Sequence, residues 1–571
     1  MLTYKAPVDE ALFLLNDVLK VENELAEPII QEAAKLAEEV IAPTNQAGDI
    51  GCHHHYHAAT ADQEEINDVH VPEEFHEPWK QFTEGGWIGL NVPEEYGGQG
   101  QPYILATIVN EFISSANMAF SLYPGLTRGA IQALLEVASE PYKQHFIKRM
   151  AEGEWTGTMN LTEPHCGTDL GLLKTKAVNK GNGTYEITGQ KIFISCGEHD
   201  LSDNIIHLVL ARIEGAPDGV KGISLFVVPK ILIDFERNKV SCGSIEKKMG
   251  IHGSSTCVMN YDGAKGFLIG EENKGLQAMF VMMNEARLGV AVQGLSQSEL
   301  AYQNAVKYST ERLQGRSLTG VKNEQGPADP IIVHPDVRRM LLDIKSVNIP
   351  GRLLIYKAAL LCEKKDDQSQ DILGLMTPIL KGVLTDYGFE NAVKAQQVFG
   401  GHGYIKEWGM EQIVRDARIA QIYEGANGVQ ALDLVGRKLP KNMGRAVRTQ
   451  FKLFEEQLEK DLNNENVNKW AYFVDRAYQD LKKATQWLVQ NGMKNPDNAG
   501  SASYDYMKMF GLVYMGFAWL DIIKVAKEKN MEDKLIVADY FVNRILPETN
   551  LLWHRIEEGS KSMMSLPVDK F

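Results

Sequence analysis

Apolar residues recur at three- and four-residue spacing through the first part of the chain, the period of amphipathic helices. Ala11 to Leu19 and Ile29 to Ile41 carry it, and Pro43 follows where a helix is expected to stop. The pattern resumes from Ile104 to Met150, rich in the small residues that let helices approach closely. Character then changes near residue 155. Tyr185 to Ile194, Ile205 to Arg212, Ile223 to Val228 and Thr256 to Tyr261 are short, partly alternating and β-branched, with Gly and Asp/Asn turns between them. They predict a small antiparallel β domain. No helix-length segment alternates with these strands, which excludes a doubly wound fold. Helical period returns at Leu276. Leu276 to Arg312 has no proline and only two glycines, Gly289 and Gly294, and its middle is apolar nearly all round, as in a helix buried in a bundle. Helices are further predicted at 336–364, 371–398 and 426–438, which together make a four-helix bundle. Pro350-Gly351 is expected to kink or interrupt the first of them. Arg316 to Pro335 reads as a long loop of the kind that often carries function. After a break at Pro440 to Gly444 come four more helical stretches, 445–463, 465–491, 502–528 and 532–557, with Trp470, Trp487, Trp519 and Trp553 falling one in each as expected core residues. The predicted fold class is mostly α with a central antiparallel β domain. The predicted domains are a helical one at 1–155, a β domain at 156–272, a helical bundle at 273–440 and a helical extension at 441–571.

Composition narrows the function. With 44% hydrophobic and 23% charged residues the chain is an ordinary soluble globular protein. Lys plus Arg number 59 against 75 Asp plus Glu, a net charge of −16, which argues against a broad nucleic-acid surface but leaves room for a local basic pocket. The start of the chain lacks the basic and apolar regions of a secretory signal. Met509 to Leu520 is apolar but too short to span a bilayer, so a buried helix is favoured over contact with a membrane surface. Six cysteines without a CxxC are read as reduced thiols in a cytoplasmic compartment. Cys52-His-His-His-Tyr-His57 lies in a polar stretch expected to be a mobile loop; its composition could hold a metal, but no paired cysteine or HExxH accompanies it and no metal is assigned. The glycine-dense stretch Gly85 to Gly100 is followed by no GK[ST] and opens no strand-to-helix fingerprint, so it is neither a P-loop nor a dinucleotide motif.

The candidate chemistry centres on Gln421-Ile-Tyr-Glu-Gly-Ala-Asn-Gly-Val-Gln430. Gly425 and Gly428 bracket a turn and Asn427 is the expected N-cap of the helix that follows. Glu424 then stands where a carboxylate and free backbone N–H groups lie close together. Such a place suits removal of a proton with stabilisation of charge on a nearby oxygen. The plainer reading is a carboxylate that steadies a helix start through its dipole.

Several ordered segments tip the balance. Gly89-Leu-Asn-Val-Pro-Glu-Glu-Tyr-Gly-Gly98, Leu161-Thr-Glu-Pro-His-Cys-Gly-Thr-Asp169, Gly189-Gln-Lys-Ile-Phe-Ile-Ser195, Glu311-Arg312, Gln397-Val-Phe-Gly-Gly-His-Gly-Tyr404 and Ile422-Tyr-Glu-Gly425 together resemble the acyl-CoA dehydrogenase family. The resemblance covers residues 10 to 440. The extension and the run Lys191 to Asp200 resemble a larger subgroup that includes 3-methylmercaptopropionyl-CoA dehydrogenases. The resemblance implies FAD, an acyl-CoA thioester as substrate, Glu424 as the base that takes the α-proton while flavin N5 takes the β-hydride, and electron-transfer flavoprotein as acceptor. It places Met159, Leu161, Thr162, Gly167, Thr168, Phe193 and Ser195 at the flavin and its ribityl chain. It places Arg312, Gln397, Gly400 and Gly401 at the pyrophosphate and adenosine end, partly from a neighbouring subunit of a homodimer or homotetramer, with Ala426 and Asn427 completing the set. Thr168, Asn284 and Arg287 are implied at the substrate. Phe193 stands where better-known medium-chain members carry tryptophan, Thr168 stands for serine and Ser195 for threonine, substitutions that keep an aromatic or a hydroxyl. Two other readings stay open at the level of sequence: an acyl-CoA oxidase that uses oxygen, and a catalytically silent helical scaffold. The acyl group is equally open between straight fatty chains and the methylthio-substituted one.

Overall fold

The computed structural model describes residues 2–57 and 66–571, with side chains at 66 and 278–284 outside the description. The chain gathers into two compact units, residues 32–286 and residues 1–31 with 287–571.

The 32–286 unit holds the β domain and helices that precede it in sequence. His53–His57 (β1) and Ile66–His70 (β2) pair antiparallel, His53 opposite His70 and His57 opposite Ile66. The expected mobile loop is therefore a two-stranded ribbon through His57. Polar side chains do not prevent pairing, because the ladder satisfies the backbone while one face can still be anchored; here Val69 is that anchor, in the core. Helices Tyr103–Ala116 and Met118–Val137 follow, separated by Asn117, whose Oδ1 accepts from the Phe120 N–H at 3.0 Å as an N-cap.

The main sheet comprises Trp155–Asn160 (β3), Lys176–Asn179 (β4), Tyr185–Ser195 (β5), Asn204–Ile213 (β6), Ile223–Pro229 (β7), Val240–Ile245 (β8) and Thr256–Ile269 (β9). β6 pairs with β4 at one edge and β7 at the other, and β4, β5, β9 and β7 complete the circuit, so the sheet closes on itself. The closed sheet surrounds a core that includes Ile187, Val209, Ala211, Phe226, Val228 and Tyr261. Most pairs in the domain are antiparallel, as expected, but β3 and β4 both run parallel to β6. Alternation reports which face a residue takes and not which way its neighbour runs. β3, β4 and β8 carry too few branched residues to stand out in the sequence.

The other unit is helical. Helix Gly275–Glu311, whose residues from 287 belong here, joins Pro335–Cys362, Asp367–Val398, Met410–Ile419 and Asn427–Asp433. Pro350-Gly351 was expected to kink or interrupt helix Pro335–Cys362; the helix is not interrupted there. A proline removes one backbone bond, and burial of both flanks holds the rest of the turn. Gly294 and Gly388 sit where two helices cross: a Cβ on Gly294 would lie 2.5 Å from the Leu384 carbonyl oxygen, and one on Gly388 would lie 2.5 Å from that of Gly294. A buried polar ladder fixes the register of three helices. Asn391 Nδ2 donates to Ser298 Oγ (2.9 Å), Ser298 to Asn348 Oδ1 (2.6 Å), and Asn348 Nδ2 and Arg352 both to Glu299 Oε2 (3.1 Å). The long loop after residue 312 folds around the buried Asp329 carboxylate, which accepts from the N–H groups of Ser317, Lys322 and Asn323 and from Arg316. The donors, Ser317 first, hold its pKa down at about 2.

The extension consists of Arg445–Leu462, Asn468–Asn491, Pro496–Glu528, Glu532–Tyr540 and Glu548–Glu558. Pro496–Glu528 is long and apolar enough to cross a membrane by length and composition, yet its apolar stretch is buried in protein. Trp519 on it donates to the Ser346 carbonyl at 3.0 Å, and Asp521 pairs with Lys357. Trp470 and Trp519 are core residues; Trp487 and Trp553 are half-buried.

Candidate active site

Glu424 lies in a turn with an uncommon backbone. Its φ is +56° and that of Gly425 is +84°, so two consecutive residues are left-handed. For a residue with a Cβ this costs roughly 1–2 kcal/mol and persists only where surroundings enforce it. The enforcing contacts are visible. Gln430, fully buried, donates its Nε2 to the carbonyls of Glu424 (2.9 Å) and Gly425 (3.1 Å), and Lys381 Nζ donates to the Gly425 carbonyl at 2.7 Å. Among the described residues the Glu424 N–H makes no hydrogen bond. The Glu424 carboxyl is half-buried and its pKa is raised, chiefly by desolvation, with the Arg287 and Lys381 cations pulling the other way. Arg287 is itself buried, its Nη1 paired with Asp433 at 2.8 Å and its Nε without a partner among the described residues. Tyr423 is tethered through its hydroxyl to Gln293 Oε1.

Lys381 and Asp386 were not singled out by the sequence, although two charges in the apolar run 377–386 are a signal that could have found them. Burial lowers the Lys381 pKa to about 8, with Glu424 and Asp386 opposing that fall. The expected N-cap role of Asn427 is corrected. The cap is Ala426, without a side-chain bond, and Asn427 begins the helix. Its buried amide accepts from Lys381 at 2.8 Å and donates to the Gly382 carbonyl, Thr385 Oγ1 and Asp386 Oδ1. An amide offering both donor and acceptor satisfies a buried cation and a carboxylate at once, which a helix cap would leave exposed. Asn427 thus supports the turn from inside, while Ala426 is exposed.

In the 32–286 unit the remaining predicted residues are set by a buried ion pair. Lys191 on β5 bonds Glu163 at 2.9 Å and the Leu161 carbonyl at 3.0 Å. Glu163 also accepts from the N–H groups of Lys174 and Thr175 and from the Thr175 hydroxyl. Burial would raise the Glu163 pKa; the Lys191 ammonium and these donors outweigh it and hold it low. The pair ties the turn 161–169 to β5, where the Ile192 N–H also reaches the Thr162 carbonyl at 2.9 Å. A register shift between Lys191 and Ile194 turns Phe193 outward with φ +58°, leaving it 59% exposed. Met159, Leu161, Thr162 and Ser195 are half-buried and Gly167 and Thr168 exposed. Glu163, His165 and Cys166 bring three ligand atoms within 4.8 Å, but Lys191 and Thr175 already occupy one Glu163 oxygen. Among the described residues the hairpin histidines gather no such group.

In the helical unit Arg312, Gln397, Gly400 and Gly401 are all exposed. They are brought near one another by ring packing that the sequence reading missed. Tyr308 stacks on Phe399 at 4.1 Å and bonds His402 Nδ1 at 2.9 Å, and His402 stacks on Trp408 at 4.5 Å. Arg312 follows Tyr308 by one turn, and a Cβ on Gly400 or Gly401 would meet open space. The side chain of Asn284 lies outside the described residues.

Comparison with known proteins bears directly on this arrangement. Models of the acyl-CoA dehydrogenase N-terminal domain match residues 24–154, of its middle domain 158–264 and of its C-terminal domain 273–439. A model described as acetyl-CoA dehydrogenase C-terminal like matches 453–567. The chain belongs to the acyl-CoA dehydrogenase family. It is 36% identical to 3-methylmercaptopropionyl-CoA dehydrogenase of Ruegeria pomeroyi over 99% of this chain and all of that one. It is 30% identical to the broad-specificity linear acyl-CoA dehydrogenase FadE5 of Mycobacterium tuberculosis over the full length of both. Among solved structures, an acyl-CoA dehydrogenase from Bacillus anthracis complexed with FAD shares the fold with a TM-score of 0.76 and 21% identity, covering 98% of this chain and 92% of that one.

The enzyme is an oxidoreductase of this family, and its residues fit FAD, the group bound in the Bacillus anthracis structure. One unit presents an outward aromatic ring at Phe193 together with the hydroxyls of Thr162, Thr168 and Ser195, which make no hydrogen bond among the described residues. The other presents an exposed guanidinium at Arg312 beside two glycines with open space above them. A flat ring, free hydroxyls, and a cation with bare backbone are what a flavin, a ribityl chain and a pyrophosphate would each require.

Proposed function

We propose that the enzyme removes two hydrogens from the α and β carbons of an acyl-CoA thioester, giving the trans-2-enoyl-CoA, with Glu424 as the base that takes the α-proton. The observation that carries this reading is the Glu424 turn: a desolvated carboxyl of raised pKa on a left-handed residue whose own N–H is unpartnered. A base whose pKa lies nearer the working pH exchanges protons more effectively, contributing roughly 10²–10⁴-fold. A free N–H at the same residue suits the thioester oxygen as negative charge grows on it, and one such donor is worth on the order of 3 kcal/mol. Bound FAD supplies the acceptor for the hydride that leaves the β-carbon. We assign Met159, Leu161, Thr162, Gly167, Thr168, Phe193 and Ser195 to holding its ring and ribityl chain, and Arg312, Gln397, Gly400, Gly401 and Ala426 to its phosphate and adenosine end. Arg287 and Thr168 we place toward the substrate, with Arg287 also moderating the charge of Glu424.

The electrons pass, in this reading, to electron-transfer flavoprotein, and the enzyme serves acyl-CoA oxidation as a cytoplasmic homo-oligomer. The names of the relatives suggest two acyl classes, the methylthio-substituted propionyl group and linear fatty chains, and the higher identity favours the first. An anaerobic titration with 3-methylmercaptopropionyl-CoA and with linear acyl-CoAs of graded length, following flavin absorbance, tests both points. Bleaching by one class establishes dehydrogenation and names the acyl group. Absence of bleaching by every thioester, with FAD bound, rejects the reading. Rapid peroxide formation in air without another acceptor replaces the dehydrogenase reading with an oxidase.

A further inference from the structure

The turn that carries Glu424 is clamped by a single carboxylate. Gln421 and Asn427 stand three residues before and three after Glu424. Both donate side-chain amides to the same oxygen, Oδ1 of Asp386, each at 2.7 Å. The Asn427 N–H closes the turn onto the Gln421 carbonyl at 3.1 Å. Asp386 therefore fixes both ends of the seven-residue segment whose centre is left-handed. Its other oxygen, Oδ2, accepts from the hydroxyl of Tyr504. Tyr504 belongs to helix Pro496–Glu528 of the C-terminal extension. One turn further along, Met507 packs over Gly382, where a Cβ would lie 2.4 Å from its methyl carbon. That close crossing sets where Tyr504 stands relative to Asp386.

A charge-assisted hydrogen bond to one carboxylate oxygen fixes the rotation of the whole group, and so the direction in which the other oxygen accepts. Without Tyr504, Asp386 is held only by the two amides on Oδ1, and Oδ2 can swing toward solvent or toward the Lys381 ammonium. The two amides would then lose a shared acceptor, leaving the turn held at its centre by Gln430 and Lys381 but slack at both ends. Catalytic geometry is sensitive to such slack, since displacement by about 1 Å can cost on the order of 10²-fold.

We propose that Tyr504 of the C-terminal extension is a positioning residue for Glu424, acting through Asp386 on both ends of the 421–427 turn. This rests on Glu424 being the base, and it gives the appended helices a part in the reaction besides covering apolar surface. Tyr504 touches no reacting atom in this account; it acts through the Asp386 carboxylate and through the Asn427 amide, which also interacts with its hydroxyl.

The test compares the holoenzyme with Tyr504→Phe and with Tyr472→Phe, an exposed tyrosine elsewhere in the extension. The first readout is amide hydrogen exchange in the segment 421–430, which needs no turnover. Exchange there is expected to quicken about tenfold in Tyr504→Phe and not in Tyr472→Phe. The second is the limiting rate of anaerobic flavin bleaching per bound FAD by the acyl-CoA that the wild type accepts. It is expected to fall about tenfold, with the apparent dissociation constant unchanged and a deuterium effect on the limiting rate, for substrate labelled at the α-carbon, at least as large as in the wild type. Unchanged exchange in the segment overturns the proposal. So does an unchanged limiting rate, or an effect confined to substrate affinity or FAD content. A wild type that no thioester bleaches refutes the base assignment instead, and the exchange result still decides whether Tyr504 holds the turn.

Discussion

At Glu424 two opposing effects set the chemistry. Desolvation pushes its pKa up, and the Arg287 and Lys381 cations hold back part of the rise. A base works when ionised, so if Glu424 has the proposed role the rate of flavin bleaching should climb with pH through an apparent pKa above the ordinary carboxylate range. Replacing Lys381 by Met removes a cation that favours the charged form, so that midpoint should move further up; a midpoint unchanged or lowered in rapid-mixing experiments across pH would contradict the assignment. Glu424→Gln should keep the flavin and its colour yet lose substrate-dependent bleaching by at least about 10²-fold, and normal reduction in the variant would remove Glu424 from its role. At this scale the sequence was partly readable. Glu424 is followed by Gly425 and Gly428, which announce a turn. Lys381 and Asp386 are some forty residues earlier and gave no local sign of their partner. The inward turn of Asn427 follows from those same two charges, and so the N-cap expected from local chemistry yields to a tertiary demand.

Helical elements were largely legible because each buries one side and must repeat its apolar residues with the helix. Helix Gly275–Glu311 ends within a residue of its expected limits. Its two glycines were only noted; their meaning comes from the partner. Gly294 lies against Leu384 and Gly388 of the neighbouring helix at distances that admit no Cβ. Gly294→Ala should therefore force the helices apart and cost about 1–3 kcal/mol of stability in denaturant unfolding; a variant as stable as the wild type would show that the crossing has room to relax. Strands were read less completely. Short β-branched runs, only partly alternating, marked β5, β6, β7 and the start of β9, whereas the parallel pairing of β3 and β4 with β6 depends on closure of the sheet and leaves no trace in any one strand. The ribbon of β1 and β2 was hidden for a related reason: its pairing is backbone chemistry, and its histidines disguise it.

The extension is where the whole molecule departs from a sum of parts. Helix Pro496–Glu528 buries its apolar length, and Trp519 and Asp521 reach Ser346 and Lys357 on a helix far earlier in the chain. Deleting 445–571 should uncover that surface, giving aggregation by light scattering and loss of soluble yield. A soluble truncation that bleaches at the wild-type rate would make the extension dispensable for both folding and chemistry.

The sequence by itself determined most of the helical and β segments and the family, and it singled out Glu424 as the candidate carboxylate. These depend on periodicity and on short contiguous motifs, which are local properties of a chain. What surrounds the carboxylate was decided only in the tertiary structure. The left-handed backbone at Glu424, its raised pKa, and the clamp of Lys381, Asp386 and Tyr504 arise from groups far apart in sequence. Burial and hydrogen bonding act through space, so they came into being only when folding brought those groups together.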